Sequence, residues 1–75
     1  MNITVYSTPT CPYCIQAKSY FKGKNIAFTD FDVSIDQEKA QEMVKLSGQM
    51  SVPVIKIDEH VLVGFDQEEI EKIIG

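Results

Sequence analysis

The chain predicts an α/β domain built as one mixed four-stranded sheet flanked by three helices, in the order βαβαββα. Three observations carry this reading. A β-branched alternating segment, Asn2-Ile3-Thr4-Val5-Tyr6, is followed after a short loop by a helical pattern opening on Pro12. A second strand and helix repeat that order. Two short apolar runs are then separated only by Asp58-Glu59, a link that permits an antiparallel hairpin and nothing longer.

In residues 2 to 6, Ile3 and Val5 fall on one side of a strand and Thr4 and Tyr6 on the other; Ser7-Thr8-Pro9-Thr10 then breaks the pattern. From Pro12 to about Lys22 the apolar positions Cys14, Ala17 and Phe21 recur at helical spacing, with Gln16, Lys18, Ser19 and Lys22 left for solvent and a stop near Gly23. Ala27 to Val33 reads as a strand alternating at Thr29, Phe31 and Val33. Its Asp30 and Asp32 suit an edge position. Asp36 opens a second helix carrying Ala40, Met43, Val44 and Ser47 on one face and closing at Gly48, where positive φ is expected. Val54–Ile57 and His60–Val63 form the hairpin. Gly64-Phe65-Asp66 then begins the last helix, with Ile70, Ile73 and Ile74 turned inward.

Seventy-five residues suffice for one domain, spanning 1–75. The connection between the first two strands is expected to be a right-handed crossover between parallel neighbours. Seven lysines and no arginine stand against eleven acidic residues, a net charge of −4. A field of that sign repels polyanions and lacks the arginine fork that suits phosphate, so nucleic acid is not an expected partner. The start of the chain has no basic segment followed by an apolar one, and no long apolar run occurs anywhere, so the reading is a cytoplasmic protein without a membrane partner.

Cys11 and Cys14 close a ring worth about 2 kcal/mol as a staple, against about 3 for a 15-residue loop, so a structural disulfide is a poor explanation of the pair. Two small core residues, or half a zinc site, are the plain alternatives. Zinc requires four ligands as a rule, and beyond this pair the chain offers no cysteine and one histidine, His60, in the hairpin. Redox chemistry accounts for the spacing better, given a strand directly before the pair and a helix directly after it. A helix N-terminus carries unpaired N–H groups and a partial positive charge, which favours a sulfur there as thiolate. Cys11 occupies that end and Cys14 lies one turn further in, placed to be shielded. Pro12 fits the first helical turn, where its missing N–H costs nothing.

Cys11-Pro12-Tyr13-Cys14 after the first strand, Ser51-Val52-Pro53 before the third and Gly64-Phe65-Asp66 at the last helix together resemble the glutaredoxins, which have the thioredoxin fold. The resemblance implies reduction of protein disulfides and glutathione mixed disulfides, with Cys11 attacking, Cys14 resolving and glutathione as reducing co-substrate. No tightly bound cofactor or metal is implied, and the chain is read as a monomer whose partners are glutathione and disulfide-bearing or glutathionylated client proteins. It further implies a cis Val52-Pro53 bond that exposes the Val52 backbone to an extended substrate, with Pro12, Tyr13 and Pro53 supporting the site. Asp66 and Gly64 would receive the γ-glutamyl end, Gln49 the glycine carboxylate, and Tyr13 would flank the thiol. Thr8 and Ser51 complete the set, and Phe65 reads either as part of it or as a lid over the core.

Two departures qualify the resemblance. Thr8 stands where many glutaredoxins have a basic residue, leaving Lys18, Lys22 and the helix end to meet a carboxylate, and Val63-Gly64 replaces a Gly-Gly pair. Short redoxins reduced by thioredoxin reductase share the Gly-Phe element and are the alternative. A dimer bridging an iron-sulfur cluster through Cys11 is an alternative of another class, weakened by the presence of Cys14.

Overall fold

The computed structural model describes residues 2–74. Strand β1 (Ile3–Ser7) leads to helix α1 (Pro12–Gly23), strand β2 (Thr29–Asp32), helix α2 (Gln37–Ser47), strands β3 (Val54–Ile57) and β4 (His60–Val63), and helix α3 (Gln67–Ile74). The strand order is β2-β1-β3-β4. β1 and β2 are parallel, whereas β3 runs antiparallel to both β1 and β4, as the crossover and the hairpin require. This is the expected mixed four-stranded sheet, with β2 at an edge.

Each face of the sheet buries its own cluster. On one face Ile3, Val5, Ile55 and Ile57 meet Ala17 and Phe21 of α1 and Ile70 of α3. On the other, Tyr6 and Val54 meet Met43 of α2, with Phe31 and Val61 packed alongside. Fully burying side chains of this size contributes about 1.5–3 kcal/mol each, so the sheet holds its helices chiefly through these clusters. Burial, then a hydrogen bond to Glu42 of α2, pushes the Tyr6 hydroxyl up to about 12 and keeps it neutral. Its ring lies 5.9 Å from that of Phe31, which in turn lies beneath the Lys39 ammonium at 4.4 Å.

Helix ends follow local chemistry. The Asp36 carboxylate accepts the Lys39 N–H at 3.1 Å, and Gly48 closes α2 at φ 73°, where a side chain would be strained. α1 ends at Gly23 as expected and is capped at Lys24, and the left-handed turn falls on Asn25 at φ 58°. Asparagine tolerates that conformation through its short polar side chain. β1 is displaced one residue from the expected span and includes Ser7, which is buried, because the parallel ladder with β2 carries on as far as Asp32. β2 is shorter than expected, Ala27 and Phe28 lying outside the ladder. Among the described residues no helix is long and apolar enough to cross a membrane.

Asp36→Ala removes the α2 cap and is expected to cost about 1 kcal/mol. For a chain of this size that lowers Tm by roughly 4–8 °C, readable by thermal denaturation followed by circular dichroism.

Candidate active site

The register of the sheet gathers three loops at one end. Tyr6 lies opposite Val54 and Val54 opposite Val63, so the exit of β1, the entry to β3 and the exit of β4 lie side by side. These carry Thr8 to Cys11, Ser51 to Pro53 and Gly64 to Asp66. The Gly64 N–H donates to the Pro53 carbonyl at 2.7 Å, joining the second loop to the third. Gly64 has φ 86°, which explains glycine at that turn. The Val52-Pro53 bond is cis and Pro53 is buried.

Cys11 is the N-cap of α1, with extended backbone, and Pro12 is the first helical residue. The Cys11 N–H donates to the Thr8 carbonyl at 3.4 Å, and its Sγ accepts the Cys14 N–H at 3.2 Å. One of the helix's unpaired amides is thus aimed at sulfur. Cys11 is half-buried and Cys14 is 0% exposed; both are free thiols. Burial first, then hydrogen bonding to Cys11, pushes the Cys14 thiol up to about 12, against opposing effects of the Thr8 backbone and the Lys18 charge. The two sulfurs therefore differ in access, and the inner one holds its proton at neutral pH.

Tyr13 is 61% exposed beside Cys11, available to whatever reaches that sulfur. Gln49 and Ser51 follow the end of α2, where Ser51 Oγ donates to Gln49 Oε1 at 3.2 Å and the Gln49 N–H donates to Ser47 Oγ at 3.2 Å. Ser47, read in the sequence only as part of a helix face, thus anchors this loop. Asp66 is exposed and accepts the Glu69 N–H at 3.3 Å, so its carboxylate caps the start of α3. Phe65 is half-buried, 5.8 Å from the Tyr20 ring, and belongs to the cluster under α1 and α3; of its two readings, the lid over the core matches this packing.

Lys18 does not point into solvent. Its Nζ donates to Asp30 Oδ2 at 3.1 Å and to Ser7 Oγ at 3.4 Å, while Ser7 Oγ donates to Asp30 Oδ1 at 2.7 Å. Asp30 sits opposite Val5 and so shares the face that α1 covers. The sequence shows Asp30 only as a polar edge residue, because its facing depends on the register with β1.

A thioredoxin fold with a dithiol at the N-terminus of its first helix defines a disulfide oxidoreductase, and the comparisons with known proteins agree. The glutaredoxin family model matches residues 3–62, and the chain belongs to the glutaredoxin family. It is 51% identical over 72 residues, 96% of each chain, to an uncharacterized glutaredoxin-like 8.6 kDa protein in the rubredoxin operon of Clostridium pasteurianum. It is 37% identical over 65 residues to glutaredoxin 3 of Escherichia coli, covering 87% of this chain and 78% of that one. Among solved structures, a thioredoxin-like protein superposes with a TM-score of 0.89 at 32% identity, over 96% of this chain and 99% of the other. NrdH-redoxin from Escherichia coli, at 23% identity, superposes with a TM-score of 0.86 over 97% of this chain and 95% of its own, which speaks to the fold alone.

Iodoacetamide at about pH 7 is expected to modify Cys11 and spare Cys14, since the inner thiol is both inaccessible and protonated. Peptide mass spectrometry reads the two sites separately. Equal modification of both in the folded protein contradicts the assignment.

Proposed function

We propose that the chain reduces protein disulfides and glutathione mixed disulfides in a reducing, cytoplasmic compartment, with Cys11 attacking, Cys14 resolving and glutathione as co-substrate. The observation that carries this reading is the inequality of the two sulfurs: one reachable at a helix N-terminus, the other buried beneath it and held as thiol.

The Cys11 sulfur attacks a client disulfide, forming a Cys11-client bond while the client's other sulfur leaves as thiolate and takes a proton from water. Cys11 is then neutral and bonded. Two effects that had held the proton on Cys14, the hydrogen bond to Cys11 and the Coulombic effect of that sulfur, are thereby removed, whereas the Lys18 charge remains. Cys14 gives its proton to solvent and attacks Cys11 Sγ, releasing the second client thiolate and leaving a Cys11-Cys14 disulfide. Two electrons have passed to the client. One glutathione thiolate then attacks Cys11 Sγ, breaking the Cys11-Cys14 bond so that Cys14 leaves and takes up a proton; a second attacks the glutathione sulfur of the Cys11 mixed disulfide, releasing glutathione disulfide and Cys11, and the dithiol is restored.

In this reading glutathione lies across the three loops, its cysteine pairing with the Val52 backbone, its γ-glutamyl end at Asp66 and its glycine carboxylate at Gln49. The glycine end is the weakest part, because Thr8 is uncharged and Lys18 is already engaged by Asp30. That engagement favours a second reading, in which thioredoxin reductase supplies the electrons.

NADPH consumption separates the donors when the protein is given glutathione with glutathione reductase, or thioredoxin reductase alone. The first reading expects the glutathione system to sustain turnover. Thr8→Lys is expected to tighten glutathione binding by up to about 1 kcal/mol, a gain lost at high salt, and Asp66→Ala to weaken it beyond what its Tm accounts for. If thioredoxin reductase alone sustains turnover and neither substitution alters glutathione-dependent rates, the second reading replaces the first.

A further inference from the structure

Cys14 and Lys18 are four residues apart on α1 and so lie on one helix face, the face turned to the sheet. Opposite them, β1 contributes Ser7 and β2 contributes Asp30. Lys18 is only 23% exposed, and two bonds, to Asp30 Oδ2 at 3.1 Å and Ser7 Oγ at 3.4 Å, hold its Nζ; Asp30 is held in turn by Ser7 at 2.7 Å. Asp30 is itself 38% exposed, so the pair adds little to stability; its effect is to hold the ammonium group against the sheet. Here the pinned charge sits one turn below a buried sulfur.

We propose that Lys18, fixed by Asp30 and Ser7, is a positioning residue for the resolving step: its ammonium group stabilises the Cys14 thiolate that attacks the Cys11 mixed disulfide. The inference rests on Cys14 being the resolving sulfur. The groups that bear on Cys14 are Cys11 and Lys18 from α1, the Thr8 backbone, and Asp30 from β2 through Lys18; among these Lys18 supplies the positive charge. Once Cys11 is bonded, the outer sulfur no longer opposes ionisation, and the lysine charge acts on the inner one unopposed by it. Asp30 prevents that charge from swinging out to solvent.

Dithiobis(nitrobenzoate) tests this in single turnover. Attack by Cys11 forms a Cys11-aryl disulfide and releases one coloured thiolate; attack by Cys14 then forms the Cys11-Cys14 disulfide and releases a second. Each protein thiol yields its proton to water, and the aryl thiolate leaves without needing one. In Lys18→Met the second phase is expected to slow about three- to tenfold near pH 7, with its pH profile displaced upward, because a charge favouring the thiolate is gone and the Asp30 carboxylate is uncompensated. The first phase should stay within about twofold of the parent, and Lys18→Arg should restore the second. A merely structural role would not move the pH profile of one phase alone. Lys18→Gln repeats the test should Lys18→Met lower Tm. A second phase unchanged across pH, or both phases slowed alike, overturns the proposal. Cys14→Ser must lose the second release; if it keeps it, the assignment of Cys14 fails and this inference with it. If it loses it while Lys18→Met leaves that phase unmoved, only the present inference fails.

Discussion

The active end of this molecule depends on one register: Tyr6 opposite Val54 and Val54 opposite Val63. A slip of one residue in β3 would turn Val54 to the other face of the sheet and carry Pro53 away from Gly64. It would also exchange the two apolar clusters, because Ile55 and Ile57 bury against α1 and α3 while Val54 buries against α2. With apolar side chains required on both faces, the register that fills the core is also the one that aligns the three loops. Packing thereby sets the geometry of a site whose own loops are short and partly exposed.

The cysteine pair draws on that frame differently at its two positions. Cys11 takes its surroundings from a helix end: an extended cap residue, proline at the first turn and an amide aimed at sulfur. Cys14 takes its surroundings from the core, where it is wholly enclosed. Three residues of sequence separation thus yield one sulfur facing solvent and one facing the sheet, because a single helical turn spans that change of environment.

Charge is arranged unevenly around this pair. The chain is acidic as a whole, and lysine is its only strong cation. Of the lysines, Lys39 is paired with Glu42 within α2 and Lys18 is bound to two sheet residues. The Lys18 pair differs from the helix-surface pairs in joining two elements, α1 and the edge strand β2, where the Asp30 carboxylate stays partly exposed. The same ion pair withdraws from the surface a cation that a ligand carboxylate would otherwise meet.

Much of the fold was legible in the sequence. Both strands of the hairpin, the cap at Asp36, the closure at Gly48 and the placement of Cys11 and Cys14 at and inside the start of α1 all rest on interactions within a few residues. Side-chain period, capping groups and permitted φ are local quantities, and a sequence displays them directly. What the tertiary structure decided is of another kind. That Ser7 is buried, that Asp30 faces α1, that Lys18 leaves solvent to join them, and that Ser47 holds the Gln49 loop follow from register and packing between elements. Lys18 and Asp30 are twelve residues apart, Ser7 and Asp30 twenty-three. No periodic pattern spans those distances, and only the pairing of β1 with β2 beneath α1 brings the three side chains within hydrogen-bond reach.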